Sequence, residues 1–265
     1  MEDIFSIIII LIILGFLVGT IASIVGIGGG VLFVPILLLI YRMPITMAID
    51  TSTFIILISS GVGFFTYLKD RRIDLKATVI FASFSILGGL SCMFFLLFVK
   101  IEDFILRMLF ATLLLIAGLN VIYKSKIWLK KKQPEAAEKE FSLLDHDYRT
   151  NLAKAIPLFF MAGFTAYLLG IGGGVINTPV LHIVLGYPIH NSTAMSTGII
   201  FFTAIVNTIL KAFVGQINYI VGLFIAIGAV FGAFFGAKIS GKMPKKQLQI
   251  VVAIVLIIVA IRMYF

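Results

Sequence analysis

Ile4–Val25 and Thr78–Val99 each run for 22 residues without a charged side chain. At about 1.5 Å per residue, either run is long enough to cross the ~30 Å hydrocarbon layer of a bilayer as a helix. Lipid offers backbone groups no hydrogen-bonding partner, so a spanning segment has to satisfy its own, and a continuous apolar run does so as an α-helix. Six or more such runs occupy most of the 265 residues and leave no room for a soluble domain. Composition agrees. Only 12% of the residues are charged, where a soluble domain carries about 25%. The expected class is an all-α integral membrane protein.

The net charge of +9 does not point to nucleic acid. The basic residues sit in short loops between apolar runs, where cytoplasmic loops of membrane proteins collect them, and no basic face belongs to a soluble element. Cys92 is the single cysteine, which excludes a disulfide framework and a cysteine-based metal site. Glu2 and Asp3 precede the first apolar run where a signal peptide carries positive charge, so that run reads as the first helix.

A duplication organises the chain. Residues 19–37, GTIASIVGIGGGVLFVPIL, recur at 163–181 as GFTAYLLGIGGGVINTPVL, an ungapped offset of 144. Over residues 19–53 there are 14 identities in 35 pairs, seven of them glycine or proline, including Pro44/Pro188 and Ser52-Thr53/Ser196-Thr197. Shared hydrophobicity would match Leu with Ile but would not align these glycines and prolines. The expected organisation is a first membrane repeat (1–123), a basic cytoplasmic linker (124–152) and a second membrane repeat (153–265). Each repeat reads as five segments: 4–25, 31–41, 48–68, 77–99 and 104–123, then 153–169, 175–186, 192–212, 219–240 and 247–264. The second segment of each, only 11 or 12 residues, is too short to span upright and is expected to be a short broken or re-entrant helix.

Loop charge sets an orientation. Lys69–Arg72 with Lys76, the linker 124–154 with eight Lys/Arg, and Lys242–Lys246 are basic, whereas Val214–Asn218 carries no charge and Lys100–Asp103 carries one base and two acids. Placing every basic loop in the cytoplasm puts both termini outside and gives each repeat an odd number of crossings. Equivalent loops then lie on opposite sides, so the repeats are expected to have inverted topology, a recurring design of secondary transporters. Cysteine accessibility at positions 71 and 215 tests that expectation.

The motif G-I-G-G-G, at Gly26–Gly30 and Gly170–Gly174, is the most specific feature. One copy would serve equally as a packing motif for close helices, and its spacing is not a dinucleotide fingerprint. Two copies, each ahead of an undersized helix, point further. Three consecutive glycines cost about 1 kcal/mol each relative to Ala in a helix, so the backbone should break inside the membrane. Broken backbone at that depth persists only when buried in protein or lining a watery cavity. The free N–H groups and positive dipole ends of the helices that follow then make an anion site without a basic side chain. The candidate substrate-binding residues are Gly26, Gly28, Gly29, Gly30, Ser52 and Thr53 in the first half. In the second half they are Gly170, Gly172, Gly173, Gly174, Asn177, Thr178, Ser196 and Thr197. The four paired hydroxyls are expected to donate to substrate or else to bond back to the preceding turn. Asn177 and Thr178 replace Phe33 and Val34, so the half-sites are unequal. Pro35 and Pro179 are expected to kink the short helices.

Candidates for ion coupling are few. Asp50, which faces Ala194 in the repeat, is either functional or a shallow helix cap. His182 and His190 read as loop or core residues. Lys211, Lys238, Arg262 and Arg107 lie near predicted helix ends, where snorkelling accounts for them. No catalytic or metal-ligand constellation, nucleophile elbow or Walker A motif occurs, so neither an enzyme nor a cofactor is expected.

The duplicated G-I-G-G-G-x4-P block, followed by x-P-I and Ser-Thr, resembles the sulfite exporter TauE/SafE family of membrane permeases, over nearly the whole chain except the linker. The family's motif falls on Gly26, Gly28, Gly29, Gly30 and Pro35, and on Gly170, Gly172, Gly173, Gly174 and Pro179. The resemblance implies export of sulfite, a sulfonate or a related small anion across a bacterial inner membrane. The reading is a secondary transporter whose partners are a small anion and the lipid bilayer, with a coupling proton or sodium ion and the oligomeric state left open. The rival readings are an anion channel of the same architecture and a non-transporting membrane partner or sensor.

Overall fold

The computed structural model describes residues 2–26, 28–128, 151–240, 257–258 and 260–264. The tenth expected segment (247–264) lies mostly outside these residues, as do most of the linker and the Lys242–Lys246 cluster. The elements in chain order are α1 (Glu2–Val25), α2 (Gly30–Pro35), α3 (Ile45–Lys69), α4 (Leu75–Phe98), α5 (Asp103–Trp128), α6 (Leu152–Leu169), α7 (Gly174–Pro179), α8 (Ile189–Val214) and α9 (Tyr219–Ile239). No strand occurs among the described residues. Six of the helices are long and apolar enough to cross a membrane: α1, α3, α4, α6, α8 and α9. Their outer faces carry large apolar side chains such as Phe98 (87% exposed) and Phe213 (86% exposed). A soluble protein would not leave such a surface to water, and a bilayer solvates it. This is a multi-pass membrane protein.

Local rules repeat with the 144-residue offset. The prolines do more than kink. Each short helix changes at its proline from α to a π-helical stretch, Ile36–Ile40 after Pro35 and Val180–Val184 after Pro179. Proline has no N–H to close an α-turn, and the wider turns end with Tyr41 N donating to Ile36 O and Leu185 N to Val180 O. α3 and α8 start at Ile45 and Ile189, three residues before the expected starts. Pro44 and Pro188 end the extended connection, and a missing N–H is harmless just ahead of a helix. α4 and α9 are capped alike: Asp74 Oδ1 accepts from Ala77 N at 3.0 Å and Asn218 Oδ1 from Val221 N at 3.1 Å, which removes one orphan donor from each.

The helices of the two halves interlock. α3 packs against α8 at the centre, while α1 pairs with α9 and α4 with α6. By the offset α1 corresponds to α6 and α4 to α9, so the two outer pairs are one contact made twice. The matching residues carry it. Gly19 lies against Ala229, and its repeat partner Gly163 lies against Ser85, the partner of Ala229. In both places backbone meets backbone, and a Cβ on the glycine would not fit. The short helix α2 is buried along its whole length in this core.

Candidate functional site

Between α1 and α2 the chain turns through three left-handed glycines, Gly26, Gly28 and Gly29, with φ of 72°, 86° and 74°. Gly170, Gly172 and Gly173 repeat the turn with φ of 66°, 76° and 77°. Side chains other than glycine's disfavour this region, which is why both breaks need their glycines. Gly29 and Gly173 precede the first residues of α2 and α7. The two breaks touch: Gly30 lies against the Gly170 carbonyl and Ile171, and Gly28 against the Ile171 carbonyl.

A helix end leaves its last carbonyls without partners, and here the other half supplies them. Ser196 Oγ, on α8, donates to Gly26 O at 2.9 Å, and Ser52 Oγ, on α3, donates to Gly170 O at 3.0 Å. Thr178 Oγ1 also donates to Gly26 O, at 2.9 Å. Thr53 and Thr197 bond back within their helices, to Ile49 O at 2.9 Å and Thr193 O at 3.0 Å. Thus the hydroxyl protons of Ser52, Ser196, Thr53, Thr197 and Thr178 are all held by backbone carbonyls in this conformation, leaving their lone pairs as acceptors. Asn177 differs. It is 1% exposed, beside Gly173, and neither its amide oxygen nor its nitrogen has a hydrogen-bond partner. A buried amide left so is destabilising, which suits a group that takes a partner in another state.

Beside the breaks, α3, α6 and α8 enclose a small cavity lined by Thr53, Ile56, Ala166, Gly172, Ile200, Thr203, Ala204 and Asn207, with room for little more than a water molecule. Thr53 and Gly172 are shared with the predicted site. Asn207, 2% exposed, has an unpartnered Oδ1. Gly26, Gly28–Gly30, Gly170, Gly173, Gly174, Ser52, Ser196, Thr197, Asn177 and Thr178 do not line this space. The glycines form the adjoining turns and helix starts, and the other residues lie on α3, α7 and α8.

One pair of charged residues behaves unlike its sequence reading. Lys211 does not snorkel: its side chain is 3% exposed, and its Nζ lies 3.0 Å from Asp50 Oδ1 in an ion pair that joins α8 to α3. Asp50 does not cap its helix either, since α3 has no side-chain cap. Its Oδ2 accepts from Gln216 N at 3.0 Å, in the loop between α8 and α9. The ammonium also donates to Thr53 Oγ1 at 3.1 Å and lies 5.1 Å from the centre of the Tyr167 ring, a cation–π distance. A signal for this pair was present. Asp50 and Lys211 stand where the repeat has Ala194 and Tyr67, so the duplication departs from itself twice, once for each charge. Among the described residues no three His, Cys, Asp or Glu side chains gather as metal ligands.

The family model for the sulfite exporter TauE/SafE matches residues 11–263. The probable membrane transporter protein MJ0441 of Methanocaldococcus jannaschii is 33% identical over 205 residues, 74% of this chain and 69% of that protein. The probable membrane transporter protein YunE of Bacillus subtilis is 26% identical over 233 residues, 84% of this chain and 85% of that protein. No solved structure matches.

Proposed function

The chain belongs to the sulfite exporter TauE/SafE family and is a membrane transporter, and from that premise we propose that it is a secondary exporter of a small oxyanion, sulfite or a short organosulfonate. The observation that carries the proposal is the reciprocal pair of bonds, Ser52 to Gly170 O and Ser196 to Gly26 O. Each half holds the helix break of the other, as expected if the halves are inverted copies that exchange conformations about a shared site. In this reading the anion sits where the breaks meet, with glycine N–H groups as its donors and the Asn177 amide, unpartnered here, as a donor that only the second half has. Rocking one half against the other opens the small closed cavity to each side in turn. The repeats 1–123 and 153–265 are the moving units, the linker 124–152 is cytoplasmic, and both termini lie outside the bacterial inner membrane.

Sulfite flux into proteoliposomes tests this, with sulfate, acetate and taurine as competitors and proton and sodium gradients applied separately. The expected result is saturable flux with counterflow exchange, reduced by about tenfold or more in Gly173→Ala, the equivalent of roughly 1.4 kcal/mol. An added Cβ there sits at φ 77° and 2.9 Å from Ala162 O. Flux that neither saturates nor exchanges would make the protein a channel and contradict alternating access. Flux of none of the four compounds would return the substrate to unknown.

A further inference from the structure

Lys211 is the one buried cation among the described residues, and a buried ammonium is costly to keep charged unless a counter-charge and hydrogen-bond partners accompany it. Its present partner has other options. Asp50 is 14% exposed and holds the Gln216 N–H through its second oxygen, so its carboxylate can be satisfied by water and backbone. Lys211 has no such freedom. On its other side the ammonium donates to Thr53 Oγ1, and Thr53 lines the central cavity together with Asn207, one helical turn before Lys211 on α8. Asn207 Oδ1 has no partner. The repeat-equivalent side chain in the other half is the uncharged Tyr67, and the nearest cation there, part-buried Arg72, donates to Ser240 Oγ at 3.2 Å. There the Tyr67 hydroxyl donates to Ser23 O at 2.7 Å and lies 3.2 Å from Ser240 Oγ. The cation is therefore fixed, sits against the cavity wall, and belongs to one half only.

We infer that Lys211 is the charge partner of the transported anion: a small oxyanion in the enlarged cavity takes the place of Asp50 on the ammonium, with Thr53 and Asn207 beside it. The inference deepens the proposed function and rests on the chain carrying an anion. Asp50 serves as the resident counter-ion that closes the site when substrate is absent. Exchange of one carboxylate for one monoanion, hydrogen sulfite or a sulfonate, keeps the buried charge neutral, whereas an empty site without Asp50 would not.

The test measures the thermal stability of purified protein in detergent as sodium sulfite, sulfate or chloride replaces gluconate at constant ionic strength. The variants are Asp50→Asn, Lys211→Gln and the double variant. Asp50→Asn should be stabilised by sulfite at about one tenth of the concentration the wild type needs, because no carboxylate competes. Lys211→Gln and the double variant should lose the response. Equal responses in Asp50→Asn and the double variant would overturn the inference. Should Asp50→Asn not fold, the wild type against the double variant decides: a lost response supports the inference and a retained one overturns it. Sulfite flux separates this from the substrate reading. Flux with unchanged KM in the double variant overturns the role of Lys211 and leaves transport standing. No wild-type sulfite flux, with the anion response of Asp50→Asn intact, removes sulfite as substrate and supports Lys211 as an anion site.

Discussion

At Gly29 and Gly173 the backbone takes the same left-handed turn, with φ of 74° and 77°, and the same α-to-π short helix follows each. The side chains around the two turns are of different kinds. The first half places Phe33 and Val34 after its glycines, both fully buried, and a tyrosine, Tyr67, at the far end of α3. The second places Asn177 and Thr178 there, and Lys211 at the far end of α8. Backbone constraints imposed by glycine, proline and helix ends are therefore kept in duplicate, while polarity is concentrated on one side. Two breaks of like backbone shape the centre, and the second half alone adds a buried amide and a buried cation beside them.

The largest effect expected from this asymmetry is at its charged end. In gluconate buffer, Asp50→Asn leaves the buried Lys211 without its carboxylate and should destabilise the protein by about 3–5 kcal/mol. Tyr67→Phe, at the uncharged equivalent, forfeits the hydroxyl's contacts with Ser23 O and Ser240 Oγ and should cost about 1–2 kcal/mol. Melting temperatures in detergent that fall equally for the two would break the comparison.

A smaller difference is expected at the glycines. Either alanine substitution enters the left-handed region at roughly 1–2 kcal/mol. The Cβ at position 29 would meet side chains, the Phe33 ring edge at 2.7 Å and Ala22 Cβ at 3.2 Å; at 173 it would meet backbone, Ala162 O, at 2.9 Å, which has less freedom to shift. Gly173→Ala should therefore reduce sulfite flux more than Gly29→Ala in protein that elutes normally on size exclusion. The reverse order would place the more sensitive break in the first half.

The serines should separate least. Ser196→Ala leaves Gly26 O with the Thr178 hydroxyl, whereas Ser52→Ala removes the hydroxyl that Gly170 O receives from across the halves. Ser52→Ala should be the more destabilising by about 1 kcal/mol, and adding Thr178→Val to Ser196→Ala should erase that gap. A gap that survives the added substitution would mean Thr178 is not the reserve donor.

Much of this fold was legible because its punctuation is chemical. Glycine triplets and the prolines at 35 and 44 with their repeats act on their own neighbours, so sequence locates them to within a few residues, whereas the Asp74 and Asn218 caps emerged only with the structure. The π-helical stretches were not foreseen, since proline predicts a lost N–H but not how the next turn absorbs the loss. The direction of the serine hydroxyls was not foreseen either: their acceptors are 118 and 170 residues away, and only the packing of the halves chooses between a carbonyl and a ligand. The same applies to Asp50 and Lys211. Helix-end position suggested snorkelling for the lysine, and pairing with a partner on another helix overrode it.

The account depends on halves that face opposite ways, and sidedness tests that most directly. Single cysteines at Arg71 and Gln216, introduced with buried Cys92 replaced by Ala, put exposed thiols in loops that correspond by the repeat; position 215 is less suitable because a side chain there would crowd Asp50. With a membrane-impermeant maleimide in intact cells and inverted vesicles, the account predicts that Gln216→Cys reacts only from outside and Arg71→Cys only from the cytoplasm. Labelling of both from the same side would contradict it.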